Sequence, residues 1–164
     1  MRVVAELCGV TQLDKMVYVI CNESCIIRTL TVDTLSALGD IHVKEMRNPI
    51  DLVVCRHDRH LYVADWNCCI WRVSADDHSY VKWLPTDSTC HVYSLSVTSR
   101  RLLVTLWDPP SLREYSLTDR QLLRVVQLPK FVKWLWHGVV TTRGTFVVGH
   151  RGTSQDTEKE AVSK

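Results

Sequence analysis

At 164 residues, with 46% apolar and 23% charged side chains, the chain has the size and composition of one globular domain able to bury a real core. A net charge of +2 excludes bulk electrostatics as a basis for nucleic-acid binding, which would need a local patch. No apolar run approaches the ~18–20 residues of a membrane-spanning helix, so no membrane partner is expected.

Taken in order, the chain is a series of short runs in which apolar residues alternate with a period near two. Val, Ile, Thr, Tyr and Trp dominate these runs, and turn residues separate them. The pattern predicts strands and no helix. A first unit places strand a near Leu7–Thr11, b at Met16–Cys21, c at Cys25–Thr31 and d at Leu35–Val43. A second has a at Ile50–Cys55, b at Leu61–Ala64, c at Cys69–Ser74 and d at Ser79–Leu84. In a third, a is Tyr93–Thr98, b Leu102–Leu106, c Leu112–Leu117 and d Gln121–Leu128. A fourth has only a, at Trp136–Thr141, and b, at Thr145–Gly149.

The units are copies in register. Tyr18, Tyr62, Leu103 and Phe146 occupy the same place in the four b strands, at intervals of 44, 41 and 43 residues. Ile26, Ile70 and Leu112 follow their anchors at matching distances, as do Asp33, Asp77 and Asp119, once one extra residue at Asp108-Pro109-Pro110 is allowed for. Leu84-Pro85 and Leu128-Pro129 close their units. A period in the low forties is that of a four-stranded propeller blade. The predicted fold is therefore all-β: a single β-propeller segment over 1–152, with antiparallel blades at about 1–46, 47–89, 90–130 and 131–152. Three blades are complete and one is partial, which predicts an open arc. Residues 153–164 form a polar tail, expected to be disordered or a cut-off strand. Val81-Lys82-Trp83-Leu84 recurs as Val132-Lys133-Trp134-Leu135, but out of phase with the anchors, so it is read as coincidence.

Leu61-Tyr62-Val63-Ala64-Asp65, followed by Asn67 and Ile70, resembles the NHL repeat. The same stretch, through Leu61-Tyr62 and Asp65-Trp66, resembles the related YWTD blade, and Pro49 before strand a fits the same pattern. Asp65 to Ile70 is one residue shorter than the family spacing, and no Gly precedes Asn67. The first and third blades carry Cys21 and Leu106 where Asp65 falls. The resemblance implies a six-bladed ring, of which this chain would supply an incomplete part: a fragment, a truncated product or half of an assembly. Tyr62, Asp65, Asn67 and Ile70 are read as the structural motif of the blade, with Asp65 and Asn67 tying the b–c connection.

Propeller topology sorts the connections onto two faces. The a–b turns carry Arg56, Arg59, Arg100, Arg101 and Arg143, a basic inner ring that suits RNA or phosphate unless Asp33, Asp76, Asp77 and Asp119 of the c–d turns neutralise it. The opposite face collects Trp66, Trp107, Phe131 and Trp134, which could form a peptide platform or pack between blades. Trp71 and Trp83 are assigned to packing. His57-x-x-His60 and Cys21-x-x-x-Cys25 lack the further ligands of a zinc site. A gluconolactonase-type hydrolase would need axial metal ligands, and the inner strands offer Glu6, Asp51, Ser94, Ser96 and His137. No catalytic residue, metal or cofactor is therefore assigned. The expected role is a non-catalytic protein–protein interaction scaffold, with RNA or phosphate binding as the alternative and a remnant of a metal-dependent gluconolactonase-type hydrolase as the second; the expected partner is a protein or peptide, with RNA or self-association through exposed blade edges as further options. Seven cysteines, an odd number set mostly in apolar runs, together with no visible secretory leader, suggest reduced thiols in a cytoplasmic protein.

Overall fold

The computed structural model describes residues 6–66, 69–85, 91–129 and 131–151. Asn67, the blade boundary at 89–90 and the tail at 153–164 lie outside these residues. Blade 1 consists of β1 (Leu7–Leu13), β2 (Met16–Cys21), β3 (Ile26–Thr31) and β4 (Ala37–His42). Blade 2 is β5 (Pro49–Cys55), β6 (His60–Asp65), β7 (Cys69–Ser74) and β8 (Tyr80–Pro85). Blade 3 is β9 (Val92–Thr98), β10 (Arg101–Leu106), β11 (Ser111–Ser116) and β12 (Leu122–Gln127). Blade 4 is the hairpin β13 (Leu135–Val140) and β14 (Phe146–His150). Every sheet is an antiparallel meander in chain order, as consecutive strands joined by tight turns require.

The expected b strand of blade 1 and c strand of blade 2 coincide with β2 and β7, and other ends move by one or two residues. A two-residue shift falls at β4, which begins at Ala37 because Leu35 occupies the turn, with a left-handed φ of 53°. Each described a–b turn likewise holds a left-handed residue, Asp14, Arg59, Ser99 or Gly144.

Successive side chains of a strand point to opposite faces, so a blade between two others must bury both. Leu61 and Val63 of β6 join the cluster shared with blade 1, whereas Tyr62 and Ala64 join the cluster shared with blade 3. β6 and β10 are consequently buried almost throughout, while β2 and β14, in the end blades, are only partly so. A third cluster, built on Leu103, Leu112, Val132 and Leu135, seats blade 4 on blade 3. Trp71 and Trp83 are both buried, as expected; Trp83 meets Tyr62 edge-on at 5.4 Å and Tyr115 at 6.2 Å.

The innermost strands neighbour one another in the order β1, β5, β9, β13. Among the described residues no comparable contact joins β13 back to β1, so the arc is open. Close approach of these strands explains two glycines inside them. A Cβ on Gly9 would lie 3.0 Å from the Leu52 backbone nitrogen, and one on Gly138 would lie 2.7 Å from the Leu112 side chain. Cys8, Cys21, Cys25 and Cys55 form no disulfide among the described residues.

A candidate aromatic binding face

One backbone hydrogen bond recurs at the same end of all four blades. The residue that follows strand b donates its N–H to the residue at the entry of strand a. The pairs are Asn22 to Glu6 (2.8 Å), Trp66 to Asn48 (2.9 Å), Trp107 to His91 (2.9 Å) and Arg151 to Trp134 (3.2 Å). This bond extends each a–b ladder by one step and sets Trp66 and Trp107 at equivalent places on adjacent blades. It does the same for His91 and Trp134.

In blade 2 the clamp is reinforced by Asp65, which is 1% exposed. Its carboxylate accepts from the Arg47 N–H (3.0 Å), the Asn48 N–H (3.1 Å) and the Trp71 indole (3.1 Å). Asp65 therefore ties the connection entering β5; the b–c connection expected from its neighbourhood in sequence runs through Asn67, outside the described residues. Its role as a structural residue stands on these bonds.

Above the clamps the aromatic side chains form one continuous array. Trp66 stacks on His91 with centroids 4.7 Å apart and planes at 10°. Trp107 lies 6.3 Å from Trp66, 5.1 Å from Tyr93, 4.9 Å from Trp134 and 6.5 Å from Trp136. Tyr93 also meets Trp66 and Trp136 edge-on, at 6.1 and 5.6 Å. Trp134 and Trp136 are 51% and 47% exposed, so the array is a surface rather than a core. Trp134 holds a left-handed φ of 55°, unusual for so bulky a residue, and the Arg151 N–H bond secures it.

Of the four aromatic residues expected on this face, Trp66, Trp107 and Trp134 come together. Phe131 is exposed but makes no ring contact with the array among the described residues. Tyr93, Trp136 and His91 were not expected there. Trp136 follows Trp134 by two positions, but Trp134 lies outside β13 in a left-handed conformation, so strand alternation does not link the two. The repeated segment Val132–Leu135 is indeed unlike Val81–Leu84: Trp83 is buried on β8, whereas Trp134 is exposed ahead of β13.

The five arginines of the other face do not form one free ring. Arg59 bridges Asp14 (2.7 Å) and Asp76 (2.9 Å). Arg101 and Arg124 both reach Glu114, at 3.4 and 3.1 Å, and Arg124 also lies over the Phe146 ring at 4.4 Å. Arg101 thus runs along the blade 3 sheet instead of facing the axis. Arg56, Arg100 and Arg143 have no carboxylate partner among the described residues. Arg100 lines a cleft of about 320 Å³ with Cys55, His57, Asp58 and Arg72. Burial pushes the Cys55 thiol above its usual range, which makes it a poor nucleophile. Asp76 pairs as anticipated, but Asp77 and Asp119 accept from the Ser79 and Gln121 amides of their own turns.

On the axis, Asp51 of β5 accepts from the Leu95 N–H of β9 at 2.7 Å and from the Leu52 N–H at 2.8 Å. Both oxygens are committed to holding one inner strand on the next. Burial raises the Asp51 carboxyl above the usual aspartate range, against the opposing pull of those two amides. The folded chain therefore keeps this proton to higher pH than the unfolded chain. Its contribution to stability is full below the unfolded aspartate range and is lost as pH rises through the raised value. Urea midpoints measured across the acid range should fall less with rising pH in Asp51→Asn than in wild type; parallel curves would remove Asp51 as the source.

No protein-family model matches this chain, and no curated protein matches its sequence. Solved structures do match. The WD40 repeats of RRP9 superpose with a TM-score of 0.66 at 12% identity, covering 79% of this chain and 41% of that one. A chain of Kuenenia stuttgartiensis hydrazine synthase gives a TM-score of 0.72 at 15% identity, covering 89% of this chain and 43% of that one. The chain thus spans less than half the length of either, and at such identities the likeness is one of fold. Its four-stranded antiparallel meanders, set blade beside blade in chain order and similar in shape to a WD40 propeller, make it a β-propeller segment.

Proposed function

We propose that this propeller segment is a non-catalytic scaffold that binds a protein partner, and that the aromatic face is where the partner docks. The observation that carries the reading is the continuous array of Trp66, His91, Tyr93, Trp107, Trp134 and Trp136, with its last two members half exposed. Large aromatic side chains held rigidly by their neighbours lose little freedom on binding and supply most of the energy at protein interfaces. The NHL-type motif at Leu61–Ile70 fits the same role, since its conspicuous aspartate is spent on the backbone of the blade. RNA binding is the weaker reading, because Arg59 is already paired with two carboxylates and Arg101 turns along its sheet to Glu114.

Phage display of random peptides on the full chain tests the proposal. Wild type should enrich a family of sequences, and Trp134→Ala/Trp136→Ala should lose that enrichment while keeping the wild-type circular dichroism spectrum. Equal enrichment on both proteins would place binding elsewhere.

A further inference from the structure

The indoles of the array are one-sided in their chemistry. An indole offers a single N–H donor and no acceptor. The Trp71 indole is satisfied within the fold by Asp65. Those of Trp107, Trp134 and Trp136 meet no protein acceptor among the described residues. Three neighbouring donors are thus presented on an apolar surface. The charged residues beside them, Asp108, Lys133 and Arg151, are exposed and of mixed sign.

The rings also have a definite relief. Trp107 stands at 73° to Trp134 and 85° to Trp136, and Tyr93 stands at 81° to Trp136. Each such pair forms an apolar corner, one ring giving its face and the other its edge. Corners of this kind accept a compact saturated ring. Two residues of a polyproline II helix advance about 6 Å, within the range of the single ring-to-ring steps of 4.9–6.5 Å.

Resting on the docking role proposed above, we infer that the ligand of this face is a proline-rich segment in the polyproline II conformation. Proline lacks the backbone N–H but keeps the carbonyl, so such a segment offers acceptors and few donors. That complements the three indole donors, and the ligand is pre-ordered before it binds.

Fluorescein-labelled decaproline, titrated against the full chain by anisotropy, tests the inference, with a (Gly-Ser)5 peptide and cellohexaose as comparison ligands. Decaproline should bind in preference to both. Trp134→Phe/Trp136→Phe, which keeps the rings but removes two donors, should bind it about 10-fold more weakly. Trp134→Ala/Trp136→Ala should abolish binding. Tighter binding of cellohexaose, or equal affinity of decaproline for wild type and the Phe variant, would overturn the inference. If decaproline fails while phage selection yields proline-free peptides that depend on Trp134 and Trp136, the face docks peptides but this ligand class is wrong. If neither binds, both readings fall.

Discussion

Asp65→Ala should cost about 3–5 kcal/mol of unfolding free energy, read as a lowered urea midpoint with unchanged slope. The side chain is buried, and its loss leaves the Arg47 and Asn48 amides and the Trp71 indole without their acceptor. An unpaired buried donor costs more than its bond contributed when made, because the exchange with water is lost as well. Asp65→Asn should cost roughly half as much, since its amide retains one acceptor oxygen but turns an N–H toward a neighbouring donor. A loss below about 1 kcal/mol in the alanine variant would mean that water replaces the carboxylate, leaving Asp65 no organising role. The effect should extend to the binding face, because Asn48 also anchors the Trp66 backbone.

Trp107→Ala should have the second large effect, acting on stability and binding together. Its ring stands within 4.9–6.5 Å of the rings of Trp66, Tyr93, Trp134 and Trp136, so its removal takes out the centre of the array and leaves Trp134 with no ring contact among the described residues. The side chain is half-buried, and about 2–3 kcal/mol of stability is expected to go with it, less than for a fully buried tryptophan. Affinity for any peptide selected on the face should fall at least about 100-fold, as for a central interface residue. Phe131→Ala, which touches no ring of the array, should leave both quantities near wild type. If Phe131→Ala weakens binding as much as Trp107→Ala, the docking surface is centred on the connection before β13 and not on the array.

Much of the architecture was legible because its causes are local. Alternation of apolar residues marks a strand whatever lies beside it, and turn residues act within a few positions. A repeat of the low forties needs only the chain to be counted. β2 and β7 fall where these signals place them, and β4 starts late because Leu35 adopts a left-handed turn conformation that no propensity for leucine suggests. The binding face was half legible. Register alone puts Trp66 and Trp107 at equivalent places, but the contribution of Tyr93, Trp136 and His91 depends on how far one blade is rotated against the next.

The basic face shows the same limit. Five arginines in adjacent turns look alike in sequence, yet Arg59 bridges two blades to reach Asp14 and Asp76, and Arg101 turns along its sheet to Glu114. What the sequence determined by itself is the strand, the turn and the repeat, since each is encoded over a few residues or one fixed interval. What only the tertiary structure decided is which side of each strand meets which neighbour, and therefore which charges are neutralised and which rings meet. Leu61 and Tyr62 are adjacent in the chain and lie in different cores; Trp66 and Trp107 are 41 residues apart and share one surface.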